Sequence, residues 1–483
     1  MTLLRTFLRD SAVYAVPTFF SRGLAIILVP LYTRVLSPAD YGSLDLLMVF
    51  AGLVNLTVAL EVSQGVARYY VSEPDADRKV LYASTAFWFT VFCYTLFLIV
   101  ALMFAPALSR LVMGTQGLEN MFRIGTVSIW LNGIFYLVQG QFRWELRSKH
   151  YAAVSLLVTC VTAVVAVTLA YFFEWGFAGI LCGSVAGALV GCVYGLWHLR
   201  NSFRPCFQMD RLKDMLRFSA PLVPSGIAVF VSLYVDRLMI NHFLSLDEVG
   251  LYGIGFRLAS TVGLVMVGFQ AALTPLVYVH YREEQTPQQL ALIFRWFLVF
   301  ALLVYLFLSL FASEILHFIT TPAYYSAATV VVYLVPAILL SNMYIFAPGI
   351  SIANKTHLIL YINLCGAILN AGLNWLLIPK LGITGAALAT LLGYACVFAA
   401  YMSISQRLYF VPHQWKTLGI AVAGATVLAF LIPPFNLSTV EHIAVKTMAL
   451  VGACVLFLAA GLVRKSELYR VRTLLAERFL PAR

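Results

Sequence analysis

Runs of about twenty mostly apolar residues, the length a helix needs to cross hydrocarbon, recur from residue 11 to residue 463 of this 483-residue chain. That feature decides the solvent. A water-soluble fold has no interior large enough for so many runs, and only 11% of the residues are charged, against about 25% in an ordinary soluble domain. The chain reads as an all-α integral membrane protein with about 14 transmembrane helices.

Orientation follows from where the cations fall. With an even number of spans, 23 of the 32 Lys and Arg lie in loops on the side of the N-terminus and the C-terminal tail, and 5 on the other. The positive-inside rule makes this chain N-in and C-in. Topology therefore accounts for the net charge of +11, and no nucleic-acid partner is expected. The opening residues, MTLLRTFLRDSAVYAVP, lack the pattern of a cleavable signal.

The chain also repeats itself. Arg9-x-Ser11-Ala12 recurs as Arg217-x-Ser219-Ala220, and Leu36-Ser37 with Gly42 recurs as Leu244-Ser245 with Gly250, each 208 residues on. Asn132 and Asn342, and Gly176-x-x-Gly179 and Gly382-x-x-Gly385, follow at similar spacings. Six spans per copy is an even number, so both copies face the same way across the membrane. The expected organisation is an N-lobe of six helices at 1–198, a cytoplasmic interlobe linker at 199–216 and a C-lobe of six helices at 217–405. Two further helices and a basic cytoplasmic tail occupy 406–483. Part of the linker is amphipathic and is expected to lie on the inner leaflet.

Soluble-site chemistry is missing. The eight cysteines stand singly and the eight histidines are scattered, so neither a disulfide framework nor a metal site is expected. There is no P-loop, HExxH or GxSxG, and no outside loop is long enough to carry a catalytic domain. An enzyme is not expected, and neither is a cofactor, apart from coupling to H+ or Na+.

Charges inside spans are the informative residues, because each costs about 2.5–3.5 kcal/mol near the bilayer centre. Arg22, Arg257 and Arg237 are the candidate cations of a substrate cavity, and Asp45 and Asp236 the candidates for ion coupling. Asp236 and Arg237 also read as a structural pair at a helix mouth. Arg295 and Lys446 begin their spans and are expected to snorkel to an interface; Glu61 is expected to be solvated or paired with Arg68. Prolines interrupt the first span at Pro17 and Pro30 and its repeat at Pro221 and Pro224, which makes them hinge candidates. The glycines at 183, 187 and 191 read as close helix packing. Two costly, proline-broken hairpins point to a transport pathway between two halves.

The segments LYTRVLSPADYGSLDLL and YVDRLMINHFLSLDEVGLYGIGFRLAS carry a resemblance. With Tyr41-Gly42, Asp236-Arg237, Val249-Gly250-x-Tyr252 and Arg257, the chain resembles the polysaccharide-flippase (O-antigen flippase, Wzx-like) branch of the multidrug/oligosaccharidyl-lipid/polysaccharide exporter superfamily. The resemblance implies translocation of an undecaprenyl-diphosphate-linked oligosaccharide from inner to outer leaflet of the bacterial inner membrane by alternating access. It implies membrane lipid and that glycan as partners, alongside other polysaccharide-assembly proteins. Asp45 stands where the lipid II flippases of the superfamily suggest another basic residue. The alternatives are an ion-coupled exporter of drugs or other small molecules from the same superfamily, and a membrane glycan-assembly enzyme or export-complex subunit.

Overall fold

The computed structural model describes residues 20–462 apart from Arg22, part of 264–279, Asn354, 432–438 and Ala460. Among the described residues every regular element is helical, as hydrocarbon demands of a chain that must satisfy its own backbone. We label α1 (Val29–Val35), α2 (Pro38–Thr57), α3 (Val62–Ser72), α4 (Ala76–Met103), α5 (Glu119–Trp144), α6 (Ser148–Val167), α7 (Gly176–His198) and α8 (Met209–Ser219). There follow α9 (Leu222–Phe243), α10 (Leu246–Ser260), α11 (Thr286–Leu310), α12 (Ala328–Asn342), α13 (Thr356–Leu408), α14 (Trp415–Leu431) and α15 (Thr439–Ala459).

Ten helices among the described residues are long and apolar enough to cross a membrane. One of them, His357–Leu408, is 52 residues long, twice the length of a span. It turns at Gly382, whose φ of 61° and ψ of −144° leave the helical region. Gly23–Val35 and Trp415–Leu431 are shorter apolar helices, and α10 runs on toward the partly described stretch 264–279. Among the described residues, counting the turned helix as two and adding the two shorter helices gives thirteen of the about 14 expected spans.

The chain forms two compact units, Met1–Gly253 with Ile319–Tyr324, and Ile254–Phe318 with Tyr325–Arg483. The first holds α1 to α9 and the opening half of α10. Within it, the glycine ladder of α7 packs against α6: Cβ atoms at Gly183, Gly187 and Gly191 would meet Ala166, Thr162 and Val158. Small residues let these two backbones approach closely.

The linker helix α8 packs its apolar side on protein. Its apolar side, Leu212 and Met215, is buried against α3 and α4, and a Cβ on Gly65 of α3 would run into Met215. The chain before it is stitched to α4. The Arg204 N–H donates to Ser84 Oγ (2.8 Å) and the Gln208 N–H to Thr85 Oγ1 (3.2 Å). Trp88 Nε1 donates to the Arg204 carbonyl (3.0 Å), and Arg211 Nη1 to the Tyr82 hydroxyl (2.9 Å).

The prolines divide by position. Pro30 is the second residue of α1, where the helix restarts after a turn at Leu28. Pro221 caps α9 and Pro224 is its third residue, so both stand where a missing N–H costs little. They part α8 from α9 instead of breaking α9 within. Pro17 lies outside the described residues. A second interruption joins α2 to α3, where Leu60 (φ 49°) and Glu61 (φ 52°) are both left-handed without being glycine. Arg68 stacks over the Phe218 ring, 4.4 Å from its centroid, and forms no ion pair with Glu61.

The second unit is built on α11 to α15. Neither cation expected at an interface is exposed: Arg295 is 7% and Lys446 9% accessible. Lys446 is buried because Glu314 supplies its counter-charge. Asn374 Nδ2 donates to the Asn370 carbonyl (2.9 Å), so these amides serve the helix on which they stand.

Candidate functional site

The site begins with two helix starts that copy one another. Ser37 caps α2 in a capping box with Asp40, its Oγ accepting from the Asp40 N–H (3.1 Å). Ser245, 208 residues on, accepts from the Glu248 N–H (3.3 Å) ahead of α10. Such a side chain satisfies one of the orphan donors of a first turn.

One turn further in, the copies cross. A Cβ on Gly42 would strike the Leu246 carbonyl oxygen, and one on Gly250 would strike the Pro38 carbonyl oxygen. Pro38 and Leu246 are themselves 208 residues apart, so the contact is reciprocal, as a two-fold relation between repeats requires. Only glycine allows backbones this close.

Below the crossing lies a cluster of charges. Asp45 is seven residues into α2, Arg237 six from the end of α9 and Tyr252 six into α10, so each sits about 9–11 Å from that end of its helix. Arg237 Nε donates to Asp45 Oδ2 (2.7 Å), and Nη1 lies 3.2 Å from Asp236 Oδ1. The Tyr252 hydroxyl donates to Asp236 Oδ2 at 2.5 Å. The Arg237 backbone N–H donates to Asp236 Oδ1 (2.8 Å) and Nη1 also donates to the Leu233 carbonyl (3.3 Å). The rings of Tyr234 and Tyr252 stand 5.5 and 5.7 Å from the guanidinium carbon, within cation–π range.

Burial makes this arrangement costly to break. Asp45 is 8%, Asp236 4% and Arg237 5% exposed. Each buried ion forfeits several kcal/mol of hydration, and losing one partner of such a pair costs about 3–5 kcal/mol. Formally the cluster holds two carboxylates to one guanidinium.

The geometry joins some expected site residues and separates others. Asp45, Asp236 and Arg237 come together. Arg237, a candidate cavity cation that also reads as a structural pair with Asp236, is engaged by both Asp236 and Asp45. Arg257 is half-buried on α10, one turn beyond Gly253. Arg22 lies outside the described residues. Gly253, not singled out in the sequence, makes room for Asp45: a Cβ there would sit 3.3 Å from Oδ2. It is the repeat equivalent of Asp45, 208 residues on, which is the signal that could have found it.

The segment Ile319–Tyr324 closes over the same end of this unit. Tyr324 donates its hydroxyl to the Leu36 carbonyl (2.9 Å) and Thr321 to the Thr33 carbonyl (3.2 Å). The Tyr324 ring meets Tyr41 edge-on at 6.0 Å.

A family profile described as polysaccharide biosynthesis protein matches residues 31–328, which include every residue of the cluster. The chain belongs to the polysaccharide biosynthesis protein family. Among relatives of this family member are the succinoglycan biosynthesis transport protein of Rhizobium meliloti, 24% identical over 55% of this chain and 52% of its own length, and the probable low-salt glycan biosynthesis flippase of Haloferax volcanii, 23% identical over 52% and 54%. The chain thus spans about half the length of these two relatives. Its fold is that of lipid II flippase MurJ in an inward closed conformation, with a TM-score of 0.70 at 15% identity, covering 92% of this chain and 98% of that one. An inward-facing multidrug resistance MATE transporter of the MOP superfamily has a TM-score of 0.67 at 15% identity, covering 80% and 94%. The chain is therefore a multi-pass membrane protein that shares the fold of these transporters.

Proposed function

We propose that this protein is a flippase carrying an undecaprenyl-diphosphate-linked oligosaccharide, a repeat unit of O-antigen, capsule or exopolysaccharide, from the inner to the outer leaflet of the bacterial inner membrane. The observation that carries the reading is the Asp45–Arg237–Asp236 cluster beside the crossing of the repeated hairpins. A purely structural contact in hydrocarbon would be met as well or better by apolar side chains. An ionic one can exchange its partners, which suits a contact that opens and closes in alternating access.

In this reading the cluster is a lock at the outer end, with the chain N-in. Arg22 and Arg257 are the cations that meet the diphosphate, whose charge cannot enter hydrocarbon alone. The surplus carboxylate of the cluster is a place for H+ or Na+ to couple to transport. The names of the relatives, a biosynthesis transport protein and a glycan flippase, support this reading over an enzyme.

The test uses the full chain in vesicles with a labelled polyprenyl-diphosphate sugar in one leaflet. Protein-dependent exposure of the label on the opposite face is expected, weakened by Arg257→Ala. Equal sidedness with and without protein overturns the proposal.

A further inference from the structure

A pocket with a polar mouth and an apolar floor lies within the second unit. Gln288, Leu292 and Arg295 of α11 line the mouth together with Gln414 and Leu418 at the start of α14, around a volume of about 230 Å³. The three α11 residues recur at helical spacing and share one face. Leu418 also lines the adjoining groove, a volume of about 520 Å³ walled by residues such as Leu298, Tyr305, Pro336, Phe398 and Phe430 from α11, α12, α13 and α14. Leu418 thus borders both the polar mouth and the apolar groove.

The chemistry of the mouth selects an anion. Arg295, a residue only 7% exposed, brings a guanidinium, and Gln288 and Gln414 bring amide donors. The helix α14 starts at Trp415, so its first-turn N–H groups and the positive end of its dipole lie at the same place. The groove selects a chain. A methylene fills about the volume of a water molecule, about 30 Å³, so 520 Å³ holds about seventeen of them, one fatty-acyl chain. A long, branched polyprenyl chain exceeds it.

We propose that this is a binding site for a resident anionic glycerophospholipid, its phosphate at Arg295 and one acyl chain along the groove. Neither Arg257 nor any member of the Asp45–Arg237 cluster lines the mouth or the groove. With room for one acyl chain and not for a polyprenyl chain, the site takes the lipid as a bound component of the protein and not as its cargo. Basic pockets between membrane helices hold anionic headgroups by the same charge complementarity.

The experiment titrates delipidated, full-length protein with phosphatidylglycerol, phosphatidylcholine, inorganic phosphate or a polyprenyl phosphate, and reads intact-complex mass spectra and Tm. Phosphatidylglycerol is expected to be retained about five-fold better than phosphatidylcholine, the size of one arginine contact with an anionic lipid, and to raise Tm. Arg295→Gln should abolish the preference and Arg295→Lys keep most of it. Gly419→Phe, whose side chain enters open space in the groove, should lower phosphatidylglycerol retention without removing the charge. Should Arg295→Gln fail to fold, Arg295→Lys and Gly419→Phe carry the test. No preference in the wild type, an undiminished preference in Arg295→Gln, or wild-type retention by Gly419→Phe overturns the proposal. So does displacement of phosphatidylglycerol by inorganic phosphate or polyprenyl phosphate at equal concentration. Flipping activity is not the readout, so this result stands apart from the flippase test.

Discussion

Asp45 and Arg237 stand 192 residues apart in the chain, yet the carboxylate and the guanidinium meet at 2.7 Å with almost no exposure to solvent. Each belongs to a different copy of the sequence repeat, so the pair ties the first copy's α2 to the second copy's α9.

Breaking the pair from either side should not cost the same. Asp45→Asn leaves Arg237 with Asp236 and should lower stability by about 1–3 kcal/mol, the cost of one weakened charged hydrogen bond. Arg237→Gln leaves two buried carboxylates without their shared cation and should cost about 3–5 kcal/mol. Thermal unfolding in one detergent checks the order, wild type above Asp45→Asn above Arg237→Gln. Equal Tm values for the two variants would contradict the buried geometry.

The reciprocal crossing predicts reciprocal damage. Gly42→Ala and Gly250→Ala each drive a methyl into a carbonyl of the other copy, and overpacking of this kind costs about 1–3 kcal/mol. The two losses should match within error. The double variant should lose less than their sum, because residues in contact are not additive. A control at Gly372, where a Cβ meets nothing within 4 Å, should lose no stability and gain up to about 1 kcal/mol from helix propensity.

Leu60 is a site where stability can rise. It holds a left-handed φ of 49°, which costs a side-chain-bearing residue about 1–2 kcal/mol, and it is 37% exposed, so little packing is at stake. Leu60→Gly should therefore raise Tm, with the gain reduced by the flexibility glycine adds to the unfolded chain. If the strain serves movement between α2 and α3, the same variant should slow flipping while folding more stably.

Acidification should expose His413. Burial holds its imidazole down at about 4, from an ordinary value of 6.5, beneath the rings of Phe294 and Trp415. The unfolded chain then takes up a proton before the folded one does. Its contribution is complete above pH 6.5 and is lost as the pH falls toward 4. His413→Phe keeps a ring there and should flatten the decline of Tm across that window; an unchanged slope would show that other groups set it.

Much of this was legible before any coordinates. The spans follow from the length of apolar runs, and the pairing of Asp236 with its neighbour Arg237 follows from adjacency. The 208-residue repeat carried more than it showed, since it foretold two copies without telling that Gly42 and Gly250 would touch. The third member of the cluster was hidden because α2 and α9 are far apart in sequence and no local pattern joins Asp45 to Arg237. Arg295 and Lys446 are more buried than their positions suggest, for a related reason. A cation near a span's start looks interfacial, unless a distant Glu314 or a pocket wall is known to receive it. The linker looked like a lipid-surface helix because an amphipathic stripe cannot say whether it faces lipid or protein.

The Gly42–Gly250 crossing has the form of the contact that joins identical subunits about a two-fold axis, the same patch meeting itself. A single repeat able to fold alone would dimerise through it. In such a dimer the residue at position 45 would confront its own copy, and two aspartates at that distance would repel. Fusion into one chain removed that constraint: Asp45 faces Gly253, and the freed space admits one carboxylate and a single arginine. The joined chain could acquire a charge arrangement that no pair of equal halves could hold.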